Sequence, residues 1–180
     1  ADETTQRLSP LIFAKQIIGT FSNANYRVII FGFFFFMIAS GIYDTLNVFM
    51  QTYFWELKPE QIRWIGLVAI PSVMVGALSA PVLMKKFDRK PVMISSIVGS
   101  AIFCQLVVDL RLLGLMPENG SPMLLPLLIA NAAGFIISLG VVTVAVLSMI
   151  GDIVDENELL TGRRQEGLYY SARAFFTKAS

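Results

Sequence analysis

Four long stretches of the chain run almost without a polar break, at residues 28–54, 64–84, 92–108 and 123–150. A helix rising about 1.5 Å per residue needs about 20 residues to cross a hydrocarbon core of roughly 30 Å, and the stretches cluster around that length. The third is short as counted, and it reaches residue 115 if Asp109 and Arg111 snorkel to the interface. None has the apolar/polar alternation of a transmembrane β-strand. The pattern therefore predicts an all-α membrane protein, a bundle of four transmembrane helices between a polar segment at 1–27 and a charged tail at 151–180.

The leading segment has a pattern of its own. Ser9 and Pro10 read as an N-cap followed by proline at the first helical position, and Leu11, Ala14, Ile17, Ile18 and Phe21 recur at helical spacing. This predicts a short amphipathic helix lying at the membrane interface and ending at Asn23 and Asn25.

Composition agrees with the pattern and removes several function classes. Of 180 residues, 55% are hydrophobic and 15% charged, and the mean hydropathy is +0.66, more apolar surface than a soluble globule of this size can bury. Histidine is absent, which excludes His-ligated metals and His-based catalysis. A single cysteine, Cys104, allows neither an internal disulfide nor a cysteine zinc site, and reads as a packing residue within its span. The net charge of +1 removes the chain-wide electrostatic argument for a nucleic-acid partner. Neither an enzyme nor a cofactor is expected.

The charges are unevenly placed. Eleven basic residues fall in the first segment (Arg7, Lys15, Arg27), the middle loop (Lys85, Lys86, Arg89, Lys90) and the tail (Arg163, Arg164, Arg173, Lys178). The other two loops hold three, Lys58, Arg63 and Arg111. By the positive-inside rule both ends of the chain and the middle loop are cytoplasmic.

Polar residues inside the spans are the candidate chemistry. Asp44 falls near the middle of the first span, where a carboxylate costs about 2.5–3.5 kcal/mol on insertion scales. Ser40, Asp44, Asn47 and Gln51 follow one another at spacings of four, three and four and share a helical face. That stripe is either a hydrogen-bonding surface toward a water-filled cavity or a polar clasp between helices. The fourth span repeats it weakly with Asn131, Gly134, Ser138, Ala145 and Ser148, which close helix packing would also explain. The second span carries Gly66, Pro71, Gly76 and Pro81, with Gly76 and Ala80 suited to close contact and the prolines to bending or static packing.

In the tail, Asp152, Asp155, Glu156 and Glu158 are expected in a loop, followed by Arg163, Arg164, Arg173 and Lys178. Such a cluster of both signs can form an ion-pair network that holds one conformation, or a solvated surface. Gly167, Ser171, Ala174 and Lys178 share the face of a further helix that begins there.

From Gly151 to Lys178 the tail resembles the signature that follows the tenth helix in the glycoside-pentoside-hexuronide:cation symporters, the melibiose-permease-like branch of the major facilitator superfamily. Asp152, Asp155, Glu158, Gly162, Arg164, Glu166, Ser171 and Lys178 carry the match, in order and without gaps. The loop Lys85-Lys86-Phe87-Asp88-Arg89-Lys90 is similar to the cytoplasmic loop of the superfamily's second half, although Lys90-Pro91 stands where a glycine is usual after Asp-Arg.

The resemblance implies helices 7 to 10 and the start of helix 11 of a twelve-helix transporter, in a bacterial inner (plasma) membrane. Because the chain lacks an initial methionine and stops early in a fifth helix, it implies a fragment whose partners are the lipid bilayer and the missing N-terminal half. The expected function is symport of a sugar or glycoside coupled to Na⁺ or H⁺, by alternating access about a midplane site. Substrate and cavity candidates are Ser40, Asp44, Asn47, Gln51, Asn131, Ser171 and Lys178. Candidates for a cytoplasmic gate are Asp88, Arg89, Asp152, Asp155, Glu158, Gly162, Arg164 and Glu166. A lipid or lysolipid carrier of the same superfamily, or a small four-span scaffold subunit, are the competing readings.

Overall fold

The computed structural model describes residues 24–161 together with Ser171 and Ala174. The amphipathic segment before Ala24 and the candidates Gly162, Arg164, Glu166 and Lys178 lie outside the described residues. The regular elements among the described residues are all helical: α1 (Ala24–Phe49), continued by a π-helical turn (Met50–Phe54), α2 (Pro59–Phe87), α3 (Arg89–Leu112) and α4 (Leu124–Thr161). All four are long and apolar enough to cross a membrane.

Local chemistry sets the helix ends. The π turn closes with Trp55 N–H donating to Met50 O at 2.9 Å and Leu57 N–H to Gln51 O at 3.0 Å, with Glu56 at φ +51° as the reversing residue. Pro59 then starts α2 at the position where its missing N–H costs nothing, and Gln61 Oε1 accepts from Lys58 N–H at 2.9 Å. Helix α2 runs through Pro71 and Pro81 without interruption. At the far end of α3, Gly114 at φ +72° allows Leu115 N–H to reach Leu110 O at 2.9 Å, a Schellman closure.

Two expectations change here. Asp152, Asp155 and Glu158 lie on α4 and not in a loop, because no proline or glycine stands between Gly151 and Gly162 to stop the helix. Its 38 residues exceed the roughly 20 that a hydrocarbon core of about 30 Å requires. The basic loop at 85–90 contracts to one residue, Asp88, since α2 ends at Phe87 and α3 begins at Arg89.

The chain divides into two compact units. The first comprises residues up to Ala39 and those from Met149 onward. Its described buried side chains are Tyr26, Ile30 and Phe33 of α1 and Ile150, Ile153 and Val154 of α4, each set at helical spacing.

The second unit, Ser40–Ser148, is organised around α4. Gly76 of α2 meets α4 so closely that a Cβ placed on it would stand 2.5 Å from Ile137 O and 3.2 Å from Gly140 Cα. Gly134 takes the edge of the Phe103 ring from α3, and Phe135 stacks obliquely on Tyr43 of α1 at 4.3 Å. Small residues on α4 thus let α2 approach nearly backbone to backbone and let a ring of α3 seat directly on the helix, the usual device where lipid removes the hydrophobic drive for helix association. Two apolar clusters flank these crossings. One gathers Trp55, Leu57, Ile65, Met116, Leu124 and Leu128, and the other Ala80, Val92 and Val141.

Candidate functional site

A small polar cavity lies inside the second unit, lined by Tyr43, Asn47, Gln51, Trp55, Ile65, Val107, Leu128, Asn131 and Ala132. All four helices of the unit contribute. Three of the sequence-selected candidates, Asn47, Gln51 and Asn131, meet here, joined by two aromatic residues that the polar stripe did not include.

The cavity wall on α1 is a row at steps of four: Tyr43, Asn47, Gln51, Trp55. Four residues of an ordinary 3.6-residue helix overshoot a full turn by about 40°, so such a row drifts around the helix. The π turn at Met50–Phe54 is wider and rotates less per residue, which offsets the drift and keeps Gln51 and Trp55 facing inward. Gln51 is buried in consequence, and Trp55 is 3% exposed.

Asn131 stands opposite on α4. Its Nδ2 donates to Phe103 O at 3.0 Å, which fixes the amide against α3. Its Oδ1 is buried and accepts no hydrogen bond. A buried acceptor without a partner costs about 1–3 kcal/mol, and the residue that carries it is part of the cavity lining.

The apolar roof is held by a polar clasp. Arg111 at the end of α3 donates from Nη1 to Pro117 O at 2.6 Å and from Nη2 to Asn119 Oδ1 at 3.1 Å. Asn119 Nδ2 donates in turn to Phe54 O at 3.0 Å, the last residue of the π turn. The guanidinium also lies 5.9 Å from the centre of the Trp55 ring, within cation–π range. On sequence alone Arg111 reads as a charge snorkelling to the interface; the structure makes it the bolt between the α3–α4 loop and the turn that carries Gln51 and Trp55.

Other candidates stand apart. Asp44 is exposed, because the cavity row passes through Tyr43 and places its neighbour about 100° further round the helix. Ser40 is half-buried and does not line the cavity, and Ser171 is helical and exposed. Asp88 occupies φ +67°, ψ 166°, a backbone region that strongly favours glycine, and its Oδ1 accepts from Arg89 N–H at 2.7 Å to cap α3. Asp152 and Asp155 are exposed on α4 in the first unit, with Glu158 half-buried one turn beyond Asp155.

A family model described as MFS/sugar transport protein matches residues 1–180 of the chain. The chain belongs to this major facilitator sugar-transport family. It is similar to the raffinose carrier protein of Pediococcus pentosaceus, with 30% identity over 150 residues. That alignment covers 81% of this chain and 21% of the carrier, so the chain spans about a fifth of its relative's length. No solved structure matches. With this family and four long apolar helices, the chain is an integral membrane protein of the major facilitator type.

Proposed function

We propose that this chain forms part of a secondary sugar transporter, a symporter driven by Na⁺ or H⁺ that works by alternating access. The observation that carries the proposal is the match of the whole chain to the sugar-transport family, with the similarity to a raffinose carrier pointing to an oligosaccharide or glycoside as cargo. The broad exposed apolar faces fit this reading. Val28, Phe35, Tyr53, Ile70, Leu78 and Val82 are each more than 60% exposed, surface that lipid and the remainder of a larger transporter would cover.

On this proposal Asp44, exposed on α1, faces the aqueous pathway between the two halves of the transporter. Asp152, Asp155 and Glu158 project beyond the bilayer on the long α4 and, with Arg164 and Glu166, form the cytoplasmic gate, to which Asp88 and Arg89 contribute from the α2–α3 joint. Lys178 enters the central cavity with Ser171. The chain has a transport role, with no catalytic group, and both of its ends and the joint at Asp88 are cytoplasmic.

Uptake by the intact transporter in cells lacking their own oligosaccharide carriers tests the substrate class. Accumulation of labelled raffinose or a related glycoside is expected, and Asp44→Asn should lower it while leaving the protein in the membrane. Movement of a labelled lysolipid with no sugar uptake would refute the assignment.

A further inference from the structure

The polar cavity has a volume and a chemistry that fit a different occupant from the transported sugar. Its space for the centres of water molecules is about 30 Å³. One water needs roughly 10–15 Å³ by this measure, whereas organic ligands occupy pockets of about 300–1,000 Å³. One or two waters fit, and a sugar ring does not.

The lining is also that of a hydration site. Asn131 is nine-tenths buried, its Nδ2 is committed to Phe103 O, and its Oδ1 is an unpartnered acceptor. Across the cavity the side-chain amides of Asn47 and Gln51 make no hydrogen bond among the described residues, and each can donate as well as accept. Water matches this set, since it gives a proton to Asn131 Oδ1 and accepts from, or donates to, the amides opposite. A bare cation matches it poorly: it would be buried among neutral amides and aromatic rings, with no carboxylate in the lining.

We propose that the cavity bounded by Tyr43, Asn47, Gln51, Trp55 and Asn131 is a bound-water site. The water joins α4 to the π turn of α1, completing the hydrogen bonding of Asn131 and fixing the position of Gln51 without a direct side-chain bond. Such a joint exchanges readily, so the polar link between α1 and α4 can break and re-form there while the Tyr43–Phe135 ring contact persists. The proposal is independent of the sugar assignment, because it concerns only the interior of this helix group.

The test is radiolytic hydroxyl labelling of the intact transporter in nanodiscs, read by mass spectrometry at Tyr43 and Trp55. Both rings lie against the site, and Trp55 is too buried to be oxidised from bulk solvent. Both should be oxidised, and after rapid mixing into H₂¹⁸O the incorporated oxygen should lag behind bulk exchange, as it does for a bound water. Asn131→Leu should reduce the labelling severalfold. Gln51→Leu leaves the Asn131 bond to Phe103 O in place, should have the same effect, and keeps the test usable if the first variant does not fold. Four results would overturn the proposal: unlabelled rings in the parent protein, equal labelling in a folded leucine variant, ¹⁸O appearing without delay, or labelling abolished by Na⁺ and restored by K⁺, which would mean that a cation occupies the site.

Discussion

Adding a single methyl group to Gly76 should separate the two helices that define the interior of this chain. An ideal Cβ there would stand 2.5 Å from Ile137 O, 3.2 Å from Gly140 Cα and 3.3 Å from Ile137 C. Ordinary contact begins near 3.4 Å, so α2 must retreat from α4 by roughly 0.9 Å. The obstructing atoms are backbone, and no side-chain rotation can relieve them. Overpacking of this kind typically costs about 1–3 kcal/mol, which lowers the thermal midpoint. The assay is thermal unfolding of the intact transporter in detergent, followed by fluorescence-detected size exclusion. Gly66→Ala is the matched control, since nothing lies within 4 Å of the added atom and alanine favours the helix. Gly140→Ala meets its nearest atom, Gly76 Cα, at 3.2 Å and should fall between the two. The expected order of midpoints is Gly66→Ala highest, then Gly140→Ala, then Gly76→Ala. Should Gly76→Ala equal or exceed the Gly66→Ala variant, the close crossing of α2 and α4 would be refuted.

Three further predictions follow the same geometry. A Cβ on Gly134 would meet the Phe103 ring at 2.6 Å, so Gly134→Ala should destabilise by about 1–3 kcal/mol and Phe103→Leu should recover part of the loss, measured as a double-mutant cycle; strict additivity would contradict the contact. Asn119→Ala breaks the link from Arg111 to Phe54 O and should cost about 1–3 kcal/mol, while in an Arg111→Ala background the same change should cost less, because the two side chains act as one clasp. Cysteines at Lys58 and Lys86 in a Cys104→Ser background should react with an impermeant thiol reagent from opposite sides of the membrane, Lys86 from the cytoplasmic one, as the basic-residue asymmetry requires; labelling of both from one side would contradict the proposed topology.

The helices were legible from hydropathy because membrane burial writes itself as long apolar runs, but their ends were not. The tail looked like a loop since its charges leave the apolar pattern, yet helix propensity and the lack of a breaker carry α4 on to Thr161. Asn47, Gln51 and Asn131 stood out as polar groups where polarity is costly, and the structure brings them to one cavity. Tyr43 and Trp55 carried no such signal, because aromatic residues are common on every face of a membrane helix. Their inward placement depends on the π turn, a one-residue change in helical pitch that no periodicity over 28–54 announces. Gly76 was marked by its spacing from Ala80, but its actual partner, Gly140, lies two helices further along the chain. Asp44 shared a stripe with Asn47 on a regular helix and still faces outward, since a polar residue one step from the cavity row lies about 100° away.

Sugar transport driven by a cation gradient is the central claim, and transport in a purified system tests it most directly. The intact transporter would be reconstituted into proteoliposomes, loaded with labelled raffinose on the outside, and energised by an inward Na⁺ gradient or an inward H⁺ gradient in separate reactions. The account predicts transient accumulation above equilibrium with at least one of the two gradients and its collapse when that gradient is dissipated. Raffinose and related glycosides that do not enter under either gradient, in vesicles whose transporter is folded and correctly inserted, would contradict it.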